Sequence, residues 1–90
     1  MATQLTIRHT VADFKAWKPA FDEDTGRRKN ATLELVSLLR GLEDDNDITV
    51  IFNVGDVDKA KAMLSDDGLK RAMADAGVTS EPTIFFGRSA

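Results

Sequence analysis

The sequence predicts an α+β fold in which an antiparallel four-stranded sheet carries its helices on one face. The first observation is the run Asp47–Val54, where apolar side chains occupy every second position, a pattern typical of a β-strand. The second is the order of periodic segments along the chain, which runs strand, helix, strand, strand, helix pair, strand. The third is that Thr49, Ile51 and Asn53, on the other face of that strand, carry no charge, so a second layer is expected there too.

The first strand is predicted at residues 4–9, where apolar and polar side chains alternate and His9 ends the apolar side. A helix is expected directly after it. Thr10 and Asp13 offer a hydroxyl and a carboxylate to the free amides of a first helical turn, as in a capping box.

The first helix carries an apolar stripe at helical spacing, formed by Val11, Phe14, Trp17 and Phe21. These side chains should pack the helix onto the sheet, because large aromatic rings contribute strongly to a core. Pro19 removes one backbone hydrogen bond from the helix, which predicts a kink and not an end. The helix is therefore expected to run through Gly26 to Asn30.

A hairpin is predicted next. Its first strand spans residues 32–39, and strict alternation assigns Leu38 and Arg40 to the face without helices. Residues 41–47 form a polar turn whose length suits an antiparallel connection to the central strand.

Two short helices and a last strand complete the domain, which is expected to span residues 1–90. Asp56 is a good N-cap for the first of these helices, and Gly77 is expected to close the second. The segment at residues 83–88 is too short to be stable alone, so it must join the sheet as an edge strand.

This order of elements is the ferredoxin-like β-α-β-β-α-β arrangement. A closer resemblance is carried by the segments Val11-Ala-Asp-Phe14, Trp17-Lys-Pro19, Phe21-Asp-Glu23, Arg28-Lys29, Ile51-Phe52, Asp56, Lys59-Ala60, Leu69-Lys-Arg-Ala72, Ala76-Gly-Val78 and Pro82-Thr-Ile-Phe-Phe86. Through them the chain resembles, over nearly its whole length, small bacterial proteins of the dimeric α+β-barrel superfamily.

The resemblance implies a ferredoxin-like subunit and a homodimer in which the sheet faces of two subunits close into a barrel. The superfamily includes cofactor-independent monooxygenases of antibiotic biosynthesis, polyketide cyclases, haem-degrading proteins and stress-responsive proteins, and some of the more similar members are labelled cyclases. Because one fold serves many reactions, the resemblance by itself selects no reaction.

Composition excludes several classes of function. The 90 residues contain no cysteine, so no disulfide or thiolate nucleophile is expected. A net charge of −3 and a pI near 5 disfavour a nucleic acid partner. No apolar run reaches membrane-spanning length and the start does not read as a leader, so a cytoplasmic location is expected. The acidic turn 43–47 lacks the spacing of a calcium loop, so neither a metal nor a cofactor is predicted.

His9 is the single histidine and the candidate catalytic residue, as a general base, which its pKa range suits, or as a haem ligand. A structural alternative is a strand-end histidine that bonds a loop carbonyl. Phe14, Trp17, Phe21 and Phe52 are the candidate ligand-binding residues. The alternative is that these rings are only core.

Two functions follow from these candidates. The first is a homodimer that binds a small, mostly apolar or aromatic molecule in a cleft between helix and sheet, as a monooxygenase-like or cyclase-like enzyme without a cofactor. The second is a non-catalytic binding or stress-related module that has no functional pocket. The basic run Arg27-Arg28-Lys29 is interpreted as a solvated helix face, because the acids of residues 22–24 balance it.

Overall fold

The computed structural model describes residues 2–90 of the chain. Its elements are β1 (Thr3–Thr10), α1 (Phe14–Glu23), α2 (Thr25–Asn30), β2 (Leu33–Arg40), β3 (Asp47–Val54), α3 (Val57–Leu64), α4 (Asp67–Asp75) and β4 (Thr83–Arg88).

The four strands form one sheet in the order β2-β3-β1-β4, and every neighbouring pair is antiparallel. β1 and β3 are therefore the central strands, while β2 and β4 are the edges. The register of the central pair runs from Gln4 opposite Asn53 to Thr10 opposite Asp47. This topology confirms the predicted ferredoxin-like fold and the hairpin between β2 and β3.

The inner face of the sheet, which packs against the helices, forms most of the core. Leu5 and Ile48 have no exposed surface, and the alternation seen in the sequence explains why, since both belong to the apolar side of a central strand. The remaining buried apolar residues are Ile7, Val11, Trp17, Ala31, Leu33, Val50, Phe52 and Ala60.

The outer face is the opposite side of the sheet, and its side chains are those of Gln4, Thr6, Arg8, Glu34, Ser37, Leu39, Asp47, Thr49, Ile51, Asn53, Thr83 and Phe85. No helix covers it in the described part of the chain. Phe85 and Leu39 are 65% and 53% exposed, which is unusual for large apolar side chains on a sheet.

β2 departs from the predicted alternation. Its register against β3 shifts between Leu35 and Ser37, so Val36 is an extra residue that has no partner on β3. Because one added residue reverses the faces of all that follow, Leu38 lies on the inner face against the core. Arg40 also lies on that side, with its guanidinium carbon 3.8 Å from the ring centre of Phe14. The prediction that both residues lie on the outer face is wrong.

The first helix also differs from its prediction. Asp13 alone caps it, accepting a hydrogen bond from the Lys15 amide, while the Thr10 hydroxyl bonds the hydroxyl of Thr79. The helix continues through Pro19 and stops at Asp24, whose amide bonds the Phe21 carbonyl over a tighter turn. A new helix, α2, then begins, so the prediction of one continuous helix is wrong.

Capping fixes the other two helices as predicted. Asp56 accepts from two amides at the start of α3, and Asp66 accepts from the Gly68 amide at the start of α4. Gly77 has φ of +92°, and the Val78 amide bonds the Met73 carbonyl, which is the pattern of a Schellman cap. Val78 then pairs with Val11, so the end of α4 is fastened to the end of β1.

Candidate ligand-binding site

A cavity of about 900 Å³ lies between the helices and the inner face of the sheet. Its floor is formed by the sheet residues Ile7, Val50, Phe52 and Ile84, and its walls by Trp17 and Phe21 on one side and Leu64, Leu69, Met73 and Val78 on the other. Exposed residues such as Glu23, Lys70 and Glu81 form a polar rim. A concave apolar site with a few polar groups is typical of a small-molecule site.

Four of the five residues singled out from the sequence line this cavity: His9, Trp17, Phe21 and Phe52. The fifth, Phe14, lies outside its lining and packs beside Trp17, with ring centres 5.9 Å apart. The aromatic stripe of α1 therefore divides into a part that faces the cavity and a part that packs against β2.

The aromatic rings of the wall touch one another in series. The ring centres of Trp17 and Phe21 are 4.8 Å apart with planes only 26° from parallel, so the two rings are stacked. His9 meets Trp17 edge-on at 5.7 Å. On the far side of Phe21, the guanidinium carbon of Arg28 lies 4.1 Å from the ring centre. Such contacts hold each ring in a fixed orientation.

His9 is the only buried polar residue recognised in the described part of the chain, at 5% exposure. Its Nδ1 atom is buried and has no hydrogen-bond partner among the residues that the structure describes. Burial lowers the pKa of His9, so the neutral imidazole prevails at neutral pH. Nδ1 has no accessible surface, so a ligand in the cavity would have to meet the imidazole at its other nitrogen, Nε2, which in a neutral ring can accept a proton or a hydrogen bond.

Two arginines of α2 reach the cavity. Arg27 pairs with Asp24 at 3.3 Å and with Asp66 at 3.4 Å, so it ties α2 to the start of α4 across the rim. Arg28 donates a hydrogen bond to the Phe21 carbonyl at 2.6 Å. Sequence reasoning treated both arginines as a solvated face. One feature of the sequence does indicate that Arg28 lies beside Phe21. It follows Phe21 by seven residues, which is the spacing of two helical turns.

The second helical layer supplies the opposite wall. Met63 and Leu64 of α3, with Leu69 and Met73 of α4, face the cavity. Helical spacing in the sequence predicts that Leu64, Leu69 and Met73 point inward, but it does not predict Met63 or the space that these residues leave before α1.

No group of three or more potential metal ligands was found among residues 2–90. Within the same range, no helix is long and apolar enough to cross a membrane.

Comparison with known proteins gives similarity in structure alone. No protein-family model matches the chain, and no curated protein matches it. Among solved structures, a proposed antibiotic biosynthesis monooxygenase from Bordetella bronchiseptica superposes with a TM-score of 0.76 at 10% identity, covering 99% of this chain and 97% of that one. A cofactor-independent oxygenase from Streptomyces nogalater superposes with a TM-score of 0.69 at 22% identity, covering 99% and 95%. A proposed antibiotic biosynthesis monooxygenase from Caulobacter crescentus gives 0.71 at 16%, covering 99% and 90%.

The fold is therefore that of the antibiotic biosynthesis monooxygenase-like proteins, with a ferredoxin-like α+β subunit. This confirms the superfamily resemblance at the level of the fold. At sequence identities this low, structural similarity shows a shared fold and no more. The activity has to be argued from the cavity.

Proposed function

We propose that the protein binds a small, flat, mostly apolar molecule in the cavity and catalyses its oxidation by molecular oxygen without a bound cofactor. The observation that carries this proposal is the cavity of about 900 Å³ whose wall includes a buried histidine, and burial lowers the pKa of that histidine and so favours its neutral form. One of the solved structures with this fold is named as a cofactor-independent oxygenase, which is support from likeness of fold.

The proposed reaction begins with proton removal by His9. A neutral imidazole accepts a proton from an acidic methylene group that is conjugated with aromatic rings, which leaves an electron-rich carbanion. The carbanion is itself the reductant of oxygen. One O₂ converts the methylene to a carbonyl: one oxygen atom enters the product, and the other leaves as water with the two methylene hydrogens. The substrate supplies all the electrons, so no external electron donor is needed. The stacked rings of Trp17 and Phe21 would hold the flat substrate.

The proposal includes a homodimer through the outer face. Phe85 and Leu39 are largely exposed there. Arg8 and Asp47 are paired on this face, where Arg8 donates two hydrogen bonds to Asp47, at 3.0 and 2.6 Å. Glu34, opposite Asn53, is exposed on the edge strand and has no salt bridge among the described residues. The exposed apolar side chains make the face suited to burial against a second copy.

The test of binding uses two matched substitutions of alanine by phenylalanine. Ala72 of α4 lines the cavity, so Ala72→Phe would place a ring in it and narrow it, whereas Ala62 of α3 is exposed and lies outside it. Oxygen uptake is measured with an electrode, with anthrone as a flat tricyclic ketone that has an acidic methylene. We expect uptake with the unmodified protein and with Ala62→Phe, and none with Ala72→Phe.

Substitution of His9 separates binding from chemistry. His9→Gln should bind anthrone but lose most oxygen uptake, because the amide cannot take the proton. Anthrone binding without oxygen uptake by the unmodified protein would contradict oxygenation of this substrate type and favour a non-catalytic binding module.

A further inference from the structure

We propose that the ligand of the cavity carries an anionic oxygen group, a carboxylate or a phenolate, and that the Arg28 guanidinium binds it. This inference rests on the proposed function, because it names the class of molecule that the cavity takes. Arg28 of α2 would thus help to select the ligand.

Arg28 is held in place at the cavity wall. It is half-buried, and its guanidinium carbon lies over the ring of Phe21, 4.1 Å from the ring centre. One N–H donates to the Phe21 carbonyl at 2.6 Å. A guanidinium has five N–H donors, and the others have no protein acceptor in the part of the chain that the structure describes. The side chain is therefore both fixed and available to a ligand.

Two of the neighbouring acids are engaged elsewhere. Asp24 pairs with Arg27 at 3.3 Å, and Asp22 pairs with Lys18 at 2.7 Å. No carboxylate in residues 2–90 lies within 4.0 Å of the Arg28 guanidinium. Lys29 is also without a salt bridge in this range, but it is exposed and outside the cavity lining, so Arg28 is the unpaired base of α2 that faces the cavity.

An unpaired arginine that is partly withdrawn from water favours an anion. Burial lowers the pKa of Arg28, and the more distant carboxylates of Asp24 and Asp22 only partly counter this. The guanidinium nevertheless stays charged in proteins, so the withdrawn charge is best compensated by a ligand oxyanion. The rim acids Glu23 and Glu81 are exposed, so water screens their repulsion of such a ligand.

Geometry limits the ligand further. Trp17, Phe21 and Arg28 follow one another along the cavity wall, with the two rings stacked and the guanidinium carbon over Phe21. A flat aromatic molecule that lies along the edges of the two rings would bring an acidic substituent at its end to the free donors of Arg28. An arginine binds a carboxylate through two parallel hydrogen bonds, which gives direction as well as strength.

The experiment measures affinity with nuclear magnetic resonance on ¹⁵N-labelled protein. Trp17 is the single tryptophan, so its indole N–H gives one resonance at the cavity wall. The probes are naphthoate, the uncharged naphthamide of nearly the same shape, and dinitronaphtholate, a phenolate that is ionised at neutral pH. We expect either anion to bind about tenfold more tightly than naphthamide, and the tighter anion identifies the oxygen group.

Three substitutions test the residue. Arg28→Met removes the charge together with the hydrogen bond to the Phe21 carbonyl. Arg28→Gln removes the charge but keeps an N–H donor for that carbonyl, so it serves as the second variant if Arg28→Met does not fold. Both should lose the preference for anions. Lys29→Met is the matched control, since Lys29 is exposed and outside the cavity lining, and it should keep the preference.

Equal binding of all probes by unmodified and Arg28-substituted protein would overturn this inference and leave the proposed function standing. Arg28 would then serve only to cap the Phe21 carbonyl. If no probe shifts the Trp17 resonance, binding of flat aromatic molecules fails, and the inference fails with it.

Discussion

At the scale of the residue, His9 shows how a strand position determines protonation. It lies on the inner side of β1, paired with Ile48 across the sheet, and packs edge-on against Trp17. An apolar environment opposes the imidazolium form, so burial lowers the pKa of His9 from its usual value near 6.5. The neutral ring is maintained in the folded protein at a pH where a solvated histidine would already be protonated.

This pKa difference predicts a pH-dependent free energy of unfolding. Below pH 6.5 the unfolded chain takes up a proton on His9 that the folded chain resists, so stability should fall as the pH drops from 6.5 towards the lowered pKa of the folded state. Above pH 6.5 this contribution is fully present and constant. Urea unfolding at a series of pH values measures it. His9→Gln should flatten the curve in that interval, and an unchanged slope would contradict the role of His9.

Thr32 is a second unusual residue, with φ of +61° although it is β-branched. It follows the end of α2, where glycine is the usual occupant. Its hydroxyl accepts a hydrogen bond from the Asp56 amide at 2.7 Å, and its carbonyl accepts from Gly55 at 3.0 Å. These bonds join the end of α2 to the start of α3 and offset the conformational strain.

The strain predicts that Thr32→Gly is more stable than Thr32→Ala, which is the reverse of the usual order of these two residues. Thr32→Ala loses the hydroxyl and keeps the strain, while Thr32→Gly loses the hydroxyl and relieves it. Thr32→Gly should therefore be the more stable variant by about 1 kcal/mol, against the usual preference for alanine. Thermal or urea unfolding of both variants measures the order, and a more stable Thr32→Ala would show that the strain is negligible.

At the scale of the element, β2 changes its alternation at a bulge. Odd-numbered residues face the core before the bulge, and even-numbered residues face the core after it. The extra residue Val36 reverses the alternation, so Leu38 packs on the core and Leu39 lies on the outer face opposite Thr49. Without this bulge, Leu38 would be left on the outer face.

A matched pair of substitutions tests the bulge. Leu38→Ala should lower the free energy of unfolding by about 2 kcal/mol, the lower end for a core leucine, because Leu38 is only partly buried. Leu39→Ala should change the free energy of unfolding of the subunit by less than about 0.5 kcal/mol, because Leu39 is 53% exposed. Strict alternation predicts the reverse order, so the comparison distinguishes the two registers.

The elements differ in how well sequence alone predicts them. β1 and β3 alternate without interruption, and the caps at Asp56 and Gly77 depend on local chemistry, so these features were predictable. Residues 33–39 are apolar at both parities, so no break in period marks the extra Val36. The end of α1 at Asp24 was not predicted, because no proline or glycine occupies that position.

The candidate site was predictable only in part. A stripe of Phe14, Trp17 and Phe21 has the same spacing whether it fills a core or lines a cavity, and the difference depends on how far α4 lies from α1. That Arg28 has no carboxylate partner could not be predicted either, because several acids and bases lie within a few residues and composition does not assign the pairs. Long-range packing decides both questions.

At the scale of the whole molecule, the two faces of the sheet contrast. The inner face is covered by helices and encloses the cavity, whereas the outer face exposes Phe85 and Leu39 around a central pair formed by Arg8 and Asp47. The hydrogen bonds from Arg8 hold the pKa of Asp47 below its usual value, so this carboxylate stays charged and paired under mildly acidic conditions.

The proposed dimer predicts that a charge on the outer face separates the subunits. Phe85→Glu should convert a dimer into a monomer, because an unpaired carboxylate would be buried between two sheets. The control is Leu42→Glu, since Leu42 is fully exposed in the turn between β2 and β3 and away from the outer face. Gel filtration with light scattering at micromolar concentration gives the mass. A monomeric unmodified protein would contradict the dimer.

The bulge at Val36 also bears on aggregation. β2 is an edge strand, so one side of its backbone has free N–H and C=O groups that could pair with a strand from another molecule. The register shift divides that edge into Leu33–Leu35 and Ser37–Arg40, and neither stretch is long enough for an extended ladder. The same residue that brings Leu38 to the core therefore interrupts the template for fibril growth, and it adds to the protection that the charged residues Glu34 and Arg40 give to the same strand.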